Sequence, residues 1–166
     1  MAGYRKAIFF TTVILHLESS AKTTRENLMN TQITPSEIVK SYFDCLANGN
    51  LQRLGSLLAE DIVWHQPGKG ELSGTYRGKG EVFALFGKFM EISQGSFRID
   101  RVDSIMKNGN LVIATLRFSA KNKKSEISMG GVDQMRVENE KIKEVFLFSE
   151  DQEAEDFFWN TKHKSN

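Results

Sequence analysis

From Phe97 onward apolar and polar residues alternate, and this period of two constrains the fold more than any other feature of the chain. It continues through four runs of strand length, over residues 97–106, 111–120, 125–138 and 141–149. The links between these runs are short, and Asn108-Gly109 is a typical hairpin turn. Because short links join antiparallel neighbours, this half of the chain predicts a four-stranded antiparallel meander.

Helical patterns precede the meander. Residues 34–37 place a capping threonine before a proline and an acidic residue, which predicts a helix that runs to about Asn48. Further elements are expected in this order: a second helix after Asn50, a short strand over 62–66, a loop over 67–80, a third helix over 81–91 and a closing helix over 150–159. Helices first and a meander last predict an α+β fold, a strongly curved antiparallel sheet with about three helices on its concave side.

The composition narrows the possible functions. In 166 residues, 22 lysines and arginines balance 21 aspartates and glutamates, so the chain has no positive field for nucleic acid. No apolar run in the sequence is long enough to cross a bilayer. The single cysteine and the three scattered histidines lack metal-ligand spacing, and no phosphate-binding loop is present. Neither a metal nor a cofactor is therefore predicted.

Residues 1–33 differ in character from the rest of the chain. Two basic residues precede an apolar stretch over 7–17 and then small residues, an order typical of a secretory signal. The alternative is an upstream extension, with the functional chain beginning near Met29. The location would be cytoplasmic, or secreted or periplasmic if residues 1–21 are a true signal. We expect an extension over 1–33, one domain over 34–160 and a tail over 161–166.

One acidic residue breaks the alternation of the run over 125–138. Asp133 falls on the face that is otherwise apolar, formed by Ile127, Met129, Met135 and Val137. An aspartate in a core is unstable unless it is paired or stays protonated, so its position indicates a site. The alternative is that Gly130-Gly131 forms a bulge, which would turn Asp133 outward as an ordinary surface charge.

Tyr42 is the second polar group expected inside the fold, because it lies on the apolar stripe of the first helix. A buried phenol usually has a hydrogen-bond partner, so the alternative to a site is a hydroxyl bonded to a backbone carbonyl. In the strand over 62–66, Trp64 and Gln66 share one face and His65 takes the other. A lone histidine beside a tryptophan is more often structural than catalytic.

Five short segments of the chain together form a recognisable pattern. They are TPSE at 34–37, ANGNL at 47–51, LLAEDIVWH at 57–65, GTYRG at 74–78 and VDQMRV at 132–137. This pattern resembles the SnoaL-like polyketide cyclases, within the NTF2-like superfamily of nuclear transport factor 2, ketosteroid isomerase and limonene epoxide hydrolase. The resemblance covers residues 34–159 and implies a cone-shaped barrel. It leaves the reaction open, because that superfamily includes isomerases, cyclases, hydrolases and binding proteins.

The resemblance also implies roles for individual residues. Tyr42 matches the helix tyrosine of ketosteroid isomerase, and Asp133 matches that enzyme's aspartate, which an apolar site keeps protonated. In the cyclases the acid/base aspartate falls at the same strand position. Where the isomerase carries its proton-abstracting aspartate this chain has Gln66, which cannot act as a base. Steroid isomerisation by that mechanism is therefore not expected.

Two functions from different classes remain open. In the first, Asp133 is the general acid and base for an enolisable or epoxide-bearing apolar substrate, and Tyr42 donates a hydrogen bond. In the second, the same pocket binds a small apolar molecule without turnover, which the lack of a carboxylate at position 66 favours. The residues expected to contact the small molecule are Trp64, His65, Gln66 and Met129.

The last strand is expected to contact a second copy of the chain. Phe146 and Phe148 alternate with Val145 and Leu147, so the strand is apolar on both faces. An exposed apolar face needs a covering surface, and a homodimer supplies the simplest one. Such a dimer is compatible with either function.

Overall fold

The computed structural model describes residues 33–160 and shows an α+β fold. The helices in this part of the chain are α1 (Pro35–Ala47), α2 (Leu51–Leu57), α3 (Gly78–Ile92) and α4 (Gln152–Trp159). The strands are β1 (Leu58–Gln66), β2 (Gly74–Arg77), β3 (Arg98–Asn108), β4 (Leu111–Lys121), β5 (Glu126–Glu138) and β6 (Lys141–Ser149). The predicted fold class is confirmed. The signal-like segment and the C-terminal tail lie outside the described residues.

The six strands form one open sheet in the order β2-β1-β6-β5-β4-β3. Strands β3 to β6 make the predicted antiparallel meander. Strand β1 pairs in parallel with β6, where Trp64 lies opposite Val145, and antiparallel with β2. The sheet is therefore mixed, and the sequence predicted neither the parallel pair nor β2. Strand β2 is only four residues long and lies between Gly74 and Gly78, in a stretch whose glycines indicate turns.

Two helix boundaries differ from the predicted ones. The second helix ends at Leu57, and the strand begins at Leu58, earlier than the expected start at Ile62. Helix α3 begins at Gly78 because the Glu81 carboxylate accepts a hydrogen bond of 2.7 Å from the Arg77 amide, which satisfies a free donor at the helix end. The sequence cannot place these boundaries closely, because an apolar run crosses the first at Leu57 and Leu58, and Gly80 lies inside the first turn of α3 where a glycine usually indicates a loop.

Helix α1 begins as the sequence predicts. Thr34 and Glu37 form a capping box, in which the Glu37 amide bonds the Thr34 hydroxyl at 3.3 Å and the Thr34 amide bonds the Glu37 carboxylate at 2.7 Å. The helix packs across β3, β4, β5 and β6. Its buried face, which carries Tyr42, therefore lies against the inner face of the sheet. Helix α3 packs on β1 and β2, and α4 packs on β5 and β6.

Hydrogen bonds from α4 fix the loop that follows β1. The Lys69 amide donates to the Asp156 carboxylate at 2.8 Å, and the Glu71 amide donates to the Asn160 side chain at 3.0 Å. Gly68 has a φ of +89°, and a Cβ atom there would lie 1.9 Å from Asp156 Oδ1. The helix therefore packs directly on the loop backbone at a point that only glycine allows.

A pair of glycine variants tests this contact. Gly49 also has a positive φ, +63°, but an added Cβ would meet no atom within 4 Å. Gly49→Ala should lose about 1–2 kcal/mol from backbone strain alone. Gly68→Ala should lose at least ~1 kcal/mol more, because the new methyl group displaces the Asp156 carboxylate from Lys69. Urea unfolding of both variants measures the difference, and equal losses would contradict a close contact between α4 and the loop.

Candidate functional site

Asp133 lies on the inner face of β5, where only 8% of its surface is exposed. The pairing of β5 with β4 runs without interruption through Gly130, Gly131 and Asp133, which lies opposite Ala114. Gly130-Gly131 therefore forms no bulge, and the alternative of an outward-facing Asp133 is wrong. The register of β5 shifts instead in its pairing with β6, between Arg136 and Val137.

Close packing explains why glycine occupies positions 130 and 131. A Cβ atom on Gly131 would lie 3.3 Å from the side chains of Leu116 and Phe118 and from the backbone oxygen of Phe148. A Cβ atom on Gly130 would lie 3.1 Å from Glu150, whose carboxylate accepts a 2.6 Å hydrogen bond from the Gly130 amide. These glycines let neighbouring groups approach the strand while its alternation, and hence the direction of Asp133, is kept.

Tyr42 of α1 is also buried, with 2% of its surface exposed. Within residues 33–160, every fully enclosed side-chain nitrogen or oxygen has a hydrogen-bond partner, yet no hydrogen bond joins the Asp133 carboxyl or the Tyr42 hydroxyl to another group. The polar ends of both side chains are therefore not completely enclosed by protein. The alternative of a Tyr42 hydroxyl bonded to a backbone carbonyl is wrong; Tyr76 makes such a bond instead, to the Leu72 oxygen at 2.8 Å.

Burial and neighbouring charge shift the pKa of both groups. Burial and, as the smaller cause, the negative charge of Glu155 raise the pKa of Asp133 to about 7. Burial also raises the pKa of Tyr42 well above its usual value, and the charge on Asp133 adds to this effect. Near neutral pH Asp133 can therefore hold or release a proton, while Tyr42 keeps its proton and can donate a hydrogen bond.

Trp64 and Gln66 lie on the inner face of β1, as predicted, and belong to a buried hydrogen-bond network. Trp64 Nε1 donates to Gln66 Oε1 at 3.3 Å, and Gln66 Nε2 donates to Glu155 Oε1 at 3.3 Å. Trp159 Nε1 donates to the same Glu155 oxygen at 3.1 Å. The Gln66 amide is thus engaged at both ends.

Glu155 is the site residue that the sequence reasoning missed. It is 5% exposed, and its second oxygen, Oε2, accepts hydrogen bonds from the Ser149 hydroxyl and from Gln152 Nε2, the latter at 3.3 Å. Burial raises the pKa of Glu155, although its hydrogen bonds oppose that rise. A signal was present in the sequence, because Glu155 stands three and four residues before Phe158 and Trp159 and so shares their buried helix face.

The two other residues predicted to contact a ligand lie apart from each other. Met129 is buried on the inner face of β5, four residues before Asp133. His65 lies on the outer face of the sheet, where its ring stacks on Phe146 and its Nε2 lies 3.0 Å from Glu144 Oε1. The strand alternation that points Trp64 and Gln66 inward turns His65 away from Asp133, so we leave His65 out of the site.

The described residues hold no group of three or more histidine, cysteine, aspartate or glutamate side chains placed to bind a metal ion. Cys45, the one cysteine of the chain, is buried in α1 without a disulfide. No helix within residues 33–160 is both long enough and apolar enough to span a bilayer.

A model of the SnoaL-like domain matches residues 39–145 of the chain. The chain belongs to the SnoaL-like domain family. The predicted family is thereby confirmed, and several similar solved structures are described as NTF2-like proteins. A similar structure from Mesorhizobium loti, 21% identical with a TM-score of 0.56, is described as a putative SnoaL-like polyketide cyclase and has the same fold.

Three relatives of this SnoaL-like domain illustrate the match. A protein of unknown function with a cystatin-like fold from Xanthomonas campestris is 43% identical, with a TM-score of 0.75 over 77% of this chain and 99% of that one. An uncharacterised protein of Mycobacterium tuberculosis is 26% identical over 74% of this chain and 94% of its own length. TerC, co-crystallised with polyporic acid, is 14% identical, with a TM-score of 0.67 over 76% of this chain and 98% of TerC.

The buried carboxyl group of this SnoaL-like domain predicts a pH-dependent stability. Asp133 has a pKa of about 7 in the folded protein and ~3.9 in an unfolded chain, so the folded state holds the extra proton between these values. Its contribution to the free energy of unfolding is complete below pH ~4 and falls by roughly 4 kcal/mol as the pH rises to about 7.

Asp133→Asn carries no charge at any pH and should lack this loss. Urea unfolding of both proteins between pH 4 and 8 should show the variant gaining stability relative to the wild type as the pH rises. If the free energy of unfolding changes with pH in the same way for both proteins, Asp133 ionises in the folded protein as easily as in the unfolded chain.

Proposed function

We propose that this protein is a small-molecule enzyme in which Asp133 transfers a proton to and from an apolar substrate. The observation that carries the proposal is the Asp133 carboxyl itself, buried on an apolar face without a hydrogen bond. A carboxyl group in that position is unstable as a charge and is free to exchange a proton with a bound molecule. The substrate would be enolisable or epoxide-bearing, and the reaction an isomerisation, cyclisation or epoxide hydrolysis.

The electrostatics of the site suit such a reaction. A general acid or base works best when its pKa lies near the working pH, and burial raises the pKa of Asp133 to about 7. Tyr42 stays protonated, since burial raises its pKa as well. It can therefore donate a hydrogen bond to the substrate oxygen on which negative charge develops.

The remaining inner-face residues would limit the shape of the pocket. Trp64 packs edge to face on Phe86, with ring centroids 5.1 Å apart, and Met129 continues the apolar wall of β5. The Gln66 amide bonds Trp64 and Glu155, so its role would be to fix the wall and not to exchange a proton. TerC, which shares the fold, was co-crystallised with polyporic acid, in agreement with a small organic ligand.

A ligand-binding protein without turnover is the second candidate. It is favoured by the environment of Glu155, the other buried carboxylate near Asp133, whose two oxygens are both occupied by hydrogen bonds. Asp133 then has no second carboxylate with a free oxygen beside it among the described residues. The two candidates differ in whether a bound molecule exchanges protons.

Hydrogen–deuterium exchange distinguishes the two candidates before a natural substrate is known. The probe is 2-tetralone, an apolar enolisable ketone, and NMR in D2O follows the loss of its α-protons. We expect the wild type to accelerate exchange, and Asp133→Asn to reduce that acceleration by about 10²- to 10⁴-fold. The affinity for the ketone should change by less than about tenfold. The wild-type rate should change through pH about 7 as Asp133 ionises.

Asp103→Asn is the matched control, because Asp103 is exposed on β3 and paired with Arg101. Tyr42→Phe should lower the rate by a smaller factor, because it removes one hydrogen-bond donor and leaves the proton-transfer group. Binding of the ketone with no exchange above the background would favour the ligand-binding protein. Full exchange activity in Asp133→Asn would exclude Asp133 as the acid and base.

We also propose that the chain forms a homodimer through the outer face of its sheet. Phe148 is 54% exposed there, and Met106, Leu111 and Ile113 are exposed on β3 and β4. Exposed apolar side chains on a sheet face are typical of an interface. Light scattering should give a dimer mass for the wild type and a monomer mass for Phe148→Lys; a monomeric wild type would exclude the dimer.

A further inference from the structure

Glu155 is held by more hydrogen bonds than any other group near Asp133. Gln66 Nε2 and Trp159 Nε1 donate to its Oε1, and Gln152 Nε2 and the Ser149 hydroxyl donate to its Oε2. The amide and indole nitrogens can only donate, so each requires an acceptor oxygen. Both oxygens of Glu155 are thus used as acceptors, which favours the ionised carboxylate.

Strand pairing places this carboxylate next to the site. Asp133 lies opposite Leu147 across β5 and β6, and Gly131 lies opposite Ser149. Leu147 and Ser149 are therefore successive residues on the inner face of β6, the first of them directly opposite Asp133. The Ser149 hydroxyl donates a hydrogen bond to Glu155. The charge of Glu155 accordingly acts on Asp133.

Helix α4 holds Glu155 in place from both ends. The Asp151 side chain caps the helix by accepting a 3.0 Å hydrogen bond from the Ala154 amide. Asp156 and Asn160 bond the backbone of the loop after β1, at Lys69 and Glu71. These contacts, with the four hydrogen bonds to its carboxylate, oppose movement of Glu155 away from Asp133 when Asp133 changes its charge.

Two carboxyl groups that act on each other in an apolar interior resist ionising together. The group with hydrogen-bond donors keeps its charge, and the group without donors takes the proton. Glu155 has four donors, while Asp133 has none within residues 33–160. The charged and titratable groups that act on Asp133 are Glu155 from α4 and Tyr42, which stays neutral, from α1.

We propose that Glu155 is a positioning residue whose fixed negative charge holds the proton on Asp133 until a bound ligand accepts it. This role rests on the proposed function of Asp133 and specifies the ligand that the site takes. The charge of Glu155 disfavours a ligand carboxylate next to Asp133, so the preferred ligand is uncharged.

Carbon-13 NMR of the side-chain carboxyl groups tests the role of Glu155. The Asp133 signal is identified by its loss in Asp133→Asn, and its midpoint is followed in the wild type and in Glu155→Gln. Glutamine keeps the size of the side chain and an acceptor oxygen but removes the charge. We expect the midpoint of Asp133 to fall by about one pH unit in Glu155→Gln. Asp156→Asn, which removes a charge from the same helix, should leave it nearly unchanged.

An unchanged Asp133 midpoint in folded Glu155→Gln would overturn the positioning role while leaving the proposed function intact. A wild-type midpoint near ~3.9 would overturn both. If Glu155→Gln does not fold, the titration of the wild type tests the proposal by itself. The proposal requires Glu155 to lose its proton at a lower pH than Asp133, and the reverse order would overturn it.

Discussion

The free energy needed to bury a negative charge governs the interior of this protein. The inner face of the sheet and the helices that cover it form one apolar core, and two carboxyl groups stand inside it. The two carboxyl groups have different surroundings in the fold. Glu155 is surrounded by donors from β6, β1 and its own helix, while Asp133 is left without a hydrogen bond. The contrast makes one carboxyl structural and leaves the other available to a ligand.

Strand alternation assigns the other polar residues to one face or the other. Trp64 and Gln66 point inward and join the network around Glu155, whereas His65, between them, points outward to Phe146 and Glu144. A single-residue shift of β1 would exchange these two sets. The antiparallel pairing with β2 and the parallel pairing with β6 hold the strand on both sides, and so they fix which polar groups belong to the interior.

Much of the fold could be predicted because its signals are local. The alternation after Phe97 and the capping box at Thr34 each depend on a few neighbouring residues, and both are confirmed. The inward direction of Asp133 followed from the same alternation. The parallel pairing of β1 with β6 could not be predicted, because it joins segments about 80 residues apart and has no local signature.

Glu155 escaped prediction for a related reason. Its helix spacing with Trp159 could indicate burial, but its role depends on donors from Gln66 and Ser149, which only the folded chain brings together. The sequence also offered Tyr42 and Gln66 as polar groups near Asp133, and neither is a carboxylate. The second carboxylate comes instead from α4, which packs on β5 and β6.

Helix α4 is the last of the described elements in chain order, and this has a consequence for biosynthesis. A ribosome releases Tyr42, Gln66 and Asp133 before it releases Glu155, so the sheet can pair while Gln66 still lacks its acceptor and the loop after β1 lacks its anchor. Until the chain reaches α4, Glu155 is absent and its charge cannot raise the pKa of Asp133. The full electrostatic environment of Asp133 therefore exists only after the last described helix has been made and has docked.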